Sequence, residues 1–326
     1  MSTAARAPRT PSVARGDAPE IAEGGRYLLD RQRLLGPLLL LPAIVYIVAL
    51  VGIPFVIAIL YGFSDVTVGD QSIDWIGLDN YRAVIHNKTF QQALRNSFVF
   101  AIVSQIIVIV LANILAQVLA ADFHGKRLVR YLILLPWTTP IALATIGWLW
   151  MLDNIYSPVD AFLRDVHLLG PGTLWGPTRN MHWLAREDLA RLSVLTVHVW
   201  RTLPLTTVIL LAGLTSIPQD INDAAEVDGA SYWRKLFYIR IPLLIPVAAV
   251  AILYGIVFTF TDMTVVYILT GGGPSDKTQV LASWAFYKGI TGSNLSQGAA
   301  IALFLFPVLV GVAALMLRLA RRTETT

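Results

Sequence analysis

The chain of 326 residues is 56% hydrophobic and 14% charged, and its mean hydropathy is +0.63. A soluble domain carries about 25% charged residues, so this composition excludes an ordinary soluble protein and indicates a membrane protein. The chain has no cysteine, which excludes disulfides and thiolate metal sites. Its basic residues follow the ends of apolar segments rather than forming a basic groove, which excludes nucleic acid as a partner.

The N-terminal residues 1–33 are rich in Ala, Arg, Pro, Ser and Gly and contain no apolar run. A segment of this composition does not bury enough apolar surface to fold alone, and no small-residue cleavage site follows the first apolar stretch. We therefore predict a disordered cytoplasmic tail rather than a signal peptide. Residues 321–326 are predicted to form a second, short cytoplasmic tail, which leaves residues 34–320 as the membrane domain.

Six apolar segments are each long enough to cross a hydrocarbon core of ~30 Å. They predict an all-α membrane protein with transmembrane helices at residues 35–63, 96–119, 131–152, 189–214, 245–269 and 298–317. Pro42 and Pro54 are expected to kink the first helix.

Lys and Arg are concentrated in the N-terminal tail and in three short segments, residues 126–130, 234–240 and 318–322. Short loops rich in basic residues stay on the cytoplasmic side of a membrane. The pattern therefore predicts that both termini, and the segment around residues 216–245, are cytoplasmic.

Two longer loops, residues 64–93 and 153–188, are expected on the external side. The second contains several Pro, Gly and Trp residues, so we expect turns and a short helix there rather than an enzyme domain. After the fifth apolar segment, the Leu-Thr-Gly-Gly-Gly-Pro run at 269–274 predicts a tight external turn, because glycine adopts positive φ at no steric cost. A complete Walker phosphate-binding pattern does not occur in the chain.

Residues 218–242 form the longest polar interruption among the later apolar segments, and they predict two short helices separated by Gly229. Pro218 suits the start of the first helix and Gly229 its left-handed end. Ser231 is expected to cap the second helix, and Pro242 to stop it. The predicted apolar stripe of the second helix comprises Trp233, Leu236, Phe237 and Ile241. The first helix carries an acidic ridge suited to a partner's arginines, at Asp220, Asp223 and Glu226.

This stretch resembles the cytoplasmic coupling loop of ABC-importer permeases, whose pattern is Glu-Ala-Ala, three residues, Gly, nine residues, Ile, one residue, Leu, Pro. The matching positions are Asp223, Ala224, Ala225, Gly229, Ile239, Ile241 and Pro242. Asp for Glu at 223 and Ile for Leu at 241 are conservative departures from the pattern. The resemblance implies that these residues, together with Glu226, Asp228 and Trp233, couple the chain to a partner ATPase.

Two further motifs are similar to those of sugar-uptake permeases of the first-subunit type: Gly77-Leu78-x-Asn80-Tyr81, and the glycine-rich turn at 269–274. The similarity covers residues 35–318 and implies the type I permease fold in a bacterial inner membrane. It also implies import of a sugar such as maltose or trehalose, or of glycerol phosphate. The implied partners are a second homologous permease, two copies of an ATPase that bind ATP and Mg²⁺, and an external solute-binding protein. No cofactor is expected in this chain.

Charged residues within the apolar segments are the candidates for a substrate path. Arg201 and Asp262 lie mid-segment, where a charge costs about 2.5 to 3.5 kcal/mol on insertion scales and should face protein or a water-filled cavity. Asp262 shares a predicted helix face with Tyr254, Phe258 and Thr261. An aromatic face beside a carboxylate suits a sugar. Equally, the face is consistent with a structural ion pair between Asp262 and Arg201 that holds two helices in register.

Other polar residues in the apolar segments give weaker evidence of a functional role. Asn113 is a further candidate for substrate contact, although Asn113 and Gln117 share a helix face and such amides commonly bond neighbouring helices. His198 has no neighbouring ligands in sequence, so we expect it to bond a backbone carbonyl rather than a metal. No nucleophile elbow or paired acid accompanies the serines and histidines, so no catalytic residue is predicted.

Two alternatives remain open at this point. A transporter driven by an ion gradient would explain Arg201 and Asp262, but not the pattern at 218–242. A membrane scaffold without transport activity would tolerate apolar replacements at Asp262 and Tyr254.

Overall fold

The computed structural model describes residues 32–70 and 72–324. All but the last two residues of the predicted N-terminal tail therefore lie outside the described residues, as do the last two residues of the chain. The described residues divide after Pro54 into two compact units, which are described separately.

The first unit contributes the beginning of a long apolar helix. Its elements are α1 (Gln32–Ile47), a π-helical turn (Val48–Gly52) and the start of α2 (Ile53–Gly62). Pro42 lies inside α1, and Pro54 follows directly after the first residue of α2. The large side chains of this unit point outward, with Leu39 73% exposed, which suits contact with lipid or with another membrane subunit.

The second unit is a helical bundle with one two-stranded antiparallel hairpin, in which Ser64 lies opposite Trp75. Its strands are β1 (Ser64–Asp65) and β2 (Asp74–Trp75). Its helices after α2 are α3 (Asp79–Ile85), α4 (Lys88–Ala120), α5 (Lys126–Thr138), α6 (Ile141–Met151), α7 (Pro158–Asp165), α8 (Glu187–Thr215), α9 (Gln219–Val227), α10 (Tyr232–Lys235), α11 (Ile241–Thr261), α12 (Thr264–Leu269), α13 (Leu281–Phe286), α14 (Leu295–Leu303) and α15 (Leu305–Glu324). Two further π-helical turns lie at Leu236–Arg240 and Tyr287–Thr291.

Among the described residues, five helical segments are long and apolar enough to cross a membrane. They are Gly36–Gly62, Lys88–Ala120, Glu187–Thr215, Tyr232–Thr261 and Leu295–Arg318. These segments confirm the all-α membrane fold and overlap the predicted first, second, fourth, fifth and sixth spans.

The third span, predicted as one helix over 131–152, is broken into two helices. α5 and α6 meet at an angle of 98°, and together they form either one broken span or a re-entrant pair. The break falls at Thr139, which is extended (φ −78°, ψ 135°). Pro140 explains it, because a proline disfavours helical backbone at the residue before it and donates no N–H.

The fifth span is also interrupted, contrary to the prediction of one helix over 245–269. α11 ends at Thr261, and Asp262 is extended (φ −85°, ψ 123°) before α12 begins at Thr264. The Asp262 carboxylate accepts a hydrogen bond from the Thr264 N–H at 3.0 Å. A short acidic side chain can accept a hydrogen bond from a nearby backbone N–H in place of a helical carbonyl. The hydrophobicity of the segment gives no sign of this bond.

α4 is central to the bundle, because it packs along α8 and against α11. Ala112 and Ala116 of α4 are buried in one apolar cluster with Leu210 of α8 and Leu244 of α11. Near its middle, α4 places Gln105 directly over Gly255 of α11. A Cβ at that glycine would collide with the Gln105 amide, so the close approach of the two helices requires glycine there.

The glycine-rich turn after α12 is confirmed, with φ of +60° at Gly271 and +90° at Gly272. Lys277 and Thr278 follow this turn, but they do not form a phosphate cradle. Thr278 is fully buried and donates to the Gly273 carbonyl at 2.7 Å, and the Lys277 ammonium lies 3.8 Å from the Glu187 carboxylate.

The segment between α6 and α8, the 153–186 loop, folds around a short helix as expected. Asp160 of α7 is 1% exposed and accepts hydrogen bonds from the Met181 N–H at 3.0 Å and the Trp183 indole N–H at 2.8 Å. Leu163, Leu169 and Met181 form a small buried cluster. The loop therefore has a core of its own.

Candidate functional site

The two charges predicted within the apolar segments form an ion pair. The Arg201 Nη1 of α8 lies 2.7 Å from the Asp262 Oδ2, and the two side chains are only 15% and 10% exposed. Because the other Asp262 oxygen holds the start of α12, this carboxylate is satisfied on both sides. The pair explains how two charges are retained within the bundle: each neutralises the other, and both join α8 to the break after α11.

An aromatic face lies next to this ion pair. The Arg201 guanidinium carbon is 4.5 Å from the centroid of the Phe258 ring, which is within cation–π range. Phe258 in turn stacks on Tyr254, with ring centroids 5.8 Å apart and planes at 18°. Tyr254 is 38% exposed. The ion pair and the aromatic face therefore form one cluster, because Arg201 contacts both Asp262 and Phe258.

Sequence analysis missed a third aromatic residue of this face, Trp137. Its ring centroid lies 6.3 Å from that of Tyr254 and 6.2 Å from that of Phe258. Trp137 belongs to the last turn of α5, between Pro136 and the break at Thr139 that Pro140 causes. Two prolines flanking a tryptophan in an apolar segment are a usable signal, because broken membrane helices commonly line a central site.

His198 does not bond a backbone carbonyl, so that prediction is wrong. Its Nε2 lies 2.9 Å from the Thr259 hydroxyl oxygen of α11. The Thr259 hydroxyl donates its own proton to the Gly255 carbonyl at 2.7 Å, so Nε2 is the donor to Thr259. A cavity of about 20 Å³, room for roughly one water, lies beside these two residues and Asp262.

Two predicted members of the substrate path lie outside this cluster. Thr261 is exposed, and its hydroxyl donates to the Val257 carbonyl of its own helix at 3.0 Å. Asn113 lies half-buried in α4 and, among the described residues, makes no side-chain hydrogen bond or aromatic contact with the cluster. No group of metal-ligating side chains is found in the described part of the chain.

The predicted first helix of the 216–245 loop is present as α9, and it ends as the sequence predicts. Gly229 has φ +71°, the Gly229 N–H donates to the Glu226 carbonyl at 3.0 Å, and the Ala230 N–H donates to the Ala225 carbonyl at 2.9 Å. These two bonds form a Schellman cap, which needs a residue at positive φ. The glycine therefore fixes the direction in which the chain leaves α9.

The second helix of this loop begins as predicted but does not end at Pro242. Ser231 accepts a hydrogen bond from the Arg234 N–H at 3.4 Å and caps α10. A π-helical turn then joins α10 to α11, and the Ile241 N–H donates to the Leu236 carbonyl. Because Pro242 lies in the first turn of α11, directly after this change of hydrogen-bond register, its missing N–H does not break the helix.

Much of the 216–245 loop is an exposed aromatic surface. Trp233 is 65% exposed and stacks on Phe237 at 6.1 Å between centroids, while Tyr238 is 78% exposed. Of the positions that resemble the coupling pattern, Asp223 and Ala224 are exposed, Ile239 and Ile241 are half-buried, and Ala225 is buried. A contiguous exposed aromatic patch marks an interaction site.

The predicted acidic ridge is partly engaged within the loop itself. The Lys235 ammonium lies 2.6 Å from a Glu226 carboxylate oxygen. This hydrogen bond from Lys235 lowers the pKa of Glu226 below its ordinary value, and the charge of Lys235 adds to the effect. Asp228 forms the C-cap of α9 and is exposed, as is Asp223. Asp220 is also exposed, and Asp223 accepts a hydrogen bond from the Gln219 amide at 3.0 Å, so both remain at the surface of the loop.

The chain matches the family model of the binding-protein-dependent transport system inner membrane component over residues 109–325. It is 28% identical over 300 residues to the diacetylchitobiose uptake system permease protein DasB of Streptomyces coelicolor, covering 90% of this chain and 89% of that protein. It is also 28% identical over 292 residues to the trehalose/maltose transport system permease protein MalF of Thermococcus litoralis, covering 89% and 95%.

The fold is similar to that of a chain in the crystal structure of a bacterial alginate ABC transporter in complex with an alginate pentasaccharide-bound periplasmic protein. The TM-score is 0.76 at 18% identity, and the similarity covers 91% of this chain and 97% of that chain. At this identity the likeness confirms the type I permease fold.

Proposed function

Because this chain belongs to the binding-protein-dependent transport system inner membrane components, we propose that it forms one half of the pore of an ABC importer for a carbohydrate and is coupled to a separate ATPase through residues 218–242. Members of this family are multi-pass membrane transport subunits rather than enzymes. The observation that carries the proposal is the exposed aromatic surface of the 216–245 loop, which is joined at both ends to membrane helices.

A carbohydrate is the substrate class that the aromatic face suits best. Sugar rings stack their C–H faces on aromatic side chains, and sugar hydroxyls bond to charged and polar groups. Trp137, Tyr254 and Phe258 offer the first kind of surface, and the neighbouring pair of Arg201 and Asp262 offers the second. The names of relatives that take up diacetylchitobiose and trehalose or maltose support the same class.

The route of coupling follows the connections of the loop. α9 follows α8 after three residues, and α10 continues through the π-helical turn into α11. Near the loop, α8 and α11 pack on one another through Leu214 and Leu244, which are 9% and 2% exposed. When two ATPase subunits close on ATP and Mg²⁺, a rigid α9 seated on one of them would tilt α8 and α11 together and change the side to which the cavity opens.

The assembly that this mechanism requires contains further chains. A second, homologous permease completes the pore, two copies of the ATPase lie in the cytoplasm, and an external solute-binding protein delivers the sugar. In this arrangement both termini and the 216–245 loop are cytoplasmic, and the 153–186 loop faces the solute-binding protein. The basic residues at 126–130 and 234–240 support that orientation.

Replacement of Gly229 by valine tests the coupling. A β-branched residue at φ +71° is strained, so the change should redirect the chain after α9 and reduce uptake by at least about 10-fold, while ATP hydrolysis continues and the chain still inserts. The measurement is labelled sugar taken up per ATP hydrolysed, in vesicles containing the assembled transporter. Gly125→Val is the matched control, because Gly125 also has positive φ and open space around it but belongs to a different loop.

Normal uptake by the Gly229→Val transporter would refute coupling through this loop. Uptake that persists in vesicles without any ATPase subunit would instead favour a transporter driven by an ion gradient.

Replacement of Trp137 by alanine tests the aromatic face. Loss of one stacking partner should raise the half-saturating sugar concentration by about 3- to 10-fold at an unchanged amount of inserted protein, on the scale of one aromatic contact. The control is Trp150→Ala in α6, which removes an indole that is 75% exposed and is not part of the cluster. Equal half-saturation in wild type and both variants would exclude this face from the sugar path.

A further inference from the structure

We propose that Arg240 is a positioning residue that fixes α9 to the end of α4, so that α4 moves together with the 216–245 loop. This inference rests on the proposed coupling function and names a contact through which it acts. α4 precedes α9 by about a hundred residues in sequence, so no chain connection joins α9 directly to α4. Apolar packing of Ala112 and Ala116 near Leu244 holds α4 to the start of α11, and a further side-chain contact can fix α9 itself to α4.

Arg240 makes that contact with both helices. Its Nη1 donates to the Gln117 Oε1 in the last turn of α4 at 3.0 Å. Its Nε and Nη2 both donate to the Asn222 Oδ1 of α9 at 3.3 Å. The guanidinium carbon also lies 6.0 Å from the centroid of the Tyr232 ring. The planar fork of arginine serves two acceptors at once, which a lysine ammonium does less well.

The π-helical turn sets the direction of Arg240. Arg240 is the last residue of the turn Leu236–Arg240, where the helix accommodates one residue more than an α-helical turn does. That extra residue rotates the side chains on one side of the turn relative to those on the other. The turn therefore determines which side of the helix Arg240 occupies, and a local deviation from regular helix has a specific structural consequence.

Within the described residues, the hydrogen bond between Arg240 and Gln117 is the one polar side-chain contact that joins α4 to the 216–245 loop. Both partners of Arg240 are neutral amides, and no carboxylate in the described part of the chain forms a salt bridge with it. The guanidinium is therefore held by directional hydrogen bonds rather than by opposite charge, and the contact depends on the relative placement of α4 and α9.

The opposite end of α4 explains why its movement would matter. Asn96 donates to the carbonyls of Lys277 and Gln279 at 2.9 and 2.8 Å, and the Leu281 N–H donates to the Ser97 hydroxyl at 2.9 Å. At 1.5 Å per residue, Asn96 and Gln117 lie about 30 Å apart along the helix. α4 therefore connects the 216–245 loop to the glycine-rich loop after α12 at the other end of the bundle.

Distance measurements between two spin labels test this role directly. The chain has no cysteine, so two cysteines can be introduced into one chain and labelled. One replaces Val118 of α4 and the other replaces Asp220 of α9, and both positions are exposed. In the assembled transporter, the distance between them should be the same without nucleotide and with ATP plus vanadate. In the Arg240→Met variant the distance distribution should broaden, and its mean should differ between the two states by several Å.

Three further variants separate a positioning role from general stability. Gln117→Leu should reproduce the effect of Arg240→Met, while Gln117→Glu, which keeps an acceptor for the guanidinium, should restore the single narrow distance. Lys235→Met is the control, because Lys235 pairs with Glu226 inside the loop and does not contact α4. A distance that changes with nucleotide in the wild type, or that stays narrow and fixed in Arg240→Met, would overturn the proposal.

A second label pair, at Asp220 and at Asp153 of the 153–186 loop, tells this proposal apart from the proposed function. If ATP plus vanadate leaves that longer distance unchanged in the wild type, the coupling function itself fails. If the distance between Asp220 and Asp153 changes in the wild type, the coupling function is supported. If, in addition, the Arg240→Met variant gives the same Val118–Asp220 distances as the wild type, only the role of Arg240 fails.

Discussion

In the 153–186 loop, Leu163, Leu169 and Met181 are buried against one another, whereas in the 216–245 loop Trp233 and Tyr238 remain 65% and 78% exposed. The carboxylates that make polar contacts in the two loops also differ in burial. The carboxylate that supports the first loop, Asp160, is 1% exposed, while the Glu226 side chain that pairs with Lys235 in the second is 62% exposed. The 153–186 loop also leaves Tyr156 and Leu174 86% and 78% exposed, so the difference lies in the buried cluster beneath them, which the 216–245 loop lacks. A loop without a core of its own whose aromatic rings are exposed offers them to a partner.

The largest effect is expected from removing the buried carboxylate of the self-supporting loop. Asp160→Ala leaves the Met181 N–H and the Trp183 indole N–H without acceptors, which should cost about 2 to 5 kcal/mol of local stability. The measurement is the rate of proteolysis within 153–186 in detergent-purified protein. Asp165→Ala, at an exposed position of the same helix, should leave the rate unchanged. An Asp160→Ala loop as resistant as the wild type would show that this loop does not depend on its own core.

An intermediate effect is expected on the partner-dependent loop. Trp233→Ala removes a large exposed ring that the fold does not need, so the stability of the isolated chain should not change. Binding of the ATPase should weaken by about 10- to 100-fold, the scale of an aromatic hot spot. Leu236→Ala, in the adjacent turn but 7% exposed, should instead lower the stability of the chain. Unchanged ATPase binding by Trp233→Ala would remove the main difference between the two loops.

The smallest effect is expected from the exposed ion pair. The pKa of Glu226 is lowered by Lys235, so the pair stabilises the loop above the ordinary pKa of 4.5 and loses its effect as pH falls through the lowered value. Glu226→Gln should remove this acid dependence and change little at neutral pH. Hydrogen exchange of residues 219–235, compared at pH 7 and below pH 4, measures both quantities. A large increase in the exchange rate of the Glu226→Gln variant at neutral pH would mean that the Glu226–Lys235 pair supports the 216–245 loop in the way that Asp160 supports the 153–186 loop.

Apolar length and composition were sufficient to predict most of the fold. Five predicted spans overlap continuous helical segments, because a stretch of some twenty apolar residues has few alternatives to a membrane helix. The departures are local. The break at Thr139 depends on Pro140, the break at Asp262 on a side chain that bonds the backbone, and the continuous helix at Pro242 on a π-helical turn. Each departure depends on which partner a backbone group bonds, and the spacing of apolar residues in the sequence carries no information about that.

The candidate site was predictable where its residues are close in sequence. Gly229 and Ser231 cap their helices as expected, and Tyr254 and Phe258 stack one turn apart. Contacts between residues that are far apart in sequence were harder to predict. The pairing of Arg201 with Asp262 was one of two open alternatives, and the approach of Trp137 to the aromatic face required the fold to bring α5 against α11.

Hydrogen exchange of both loops, with and without the ATPase, tests the central claim most directly. On assembly with the ATPase, the amides of residues 219–240 should become protected, while those of residues 153–186 should exchange at the same rate as in the chain alone. Protection of 153–186 with no change at 219–240 would contradict the account, because the ATPase would then bind the loop that has its own core.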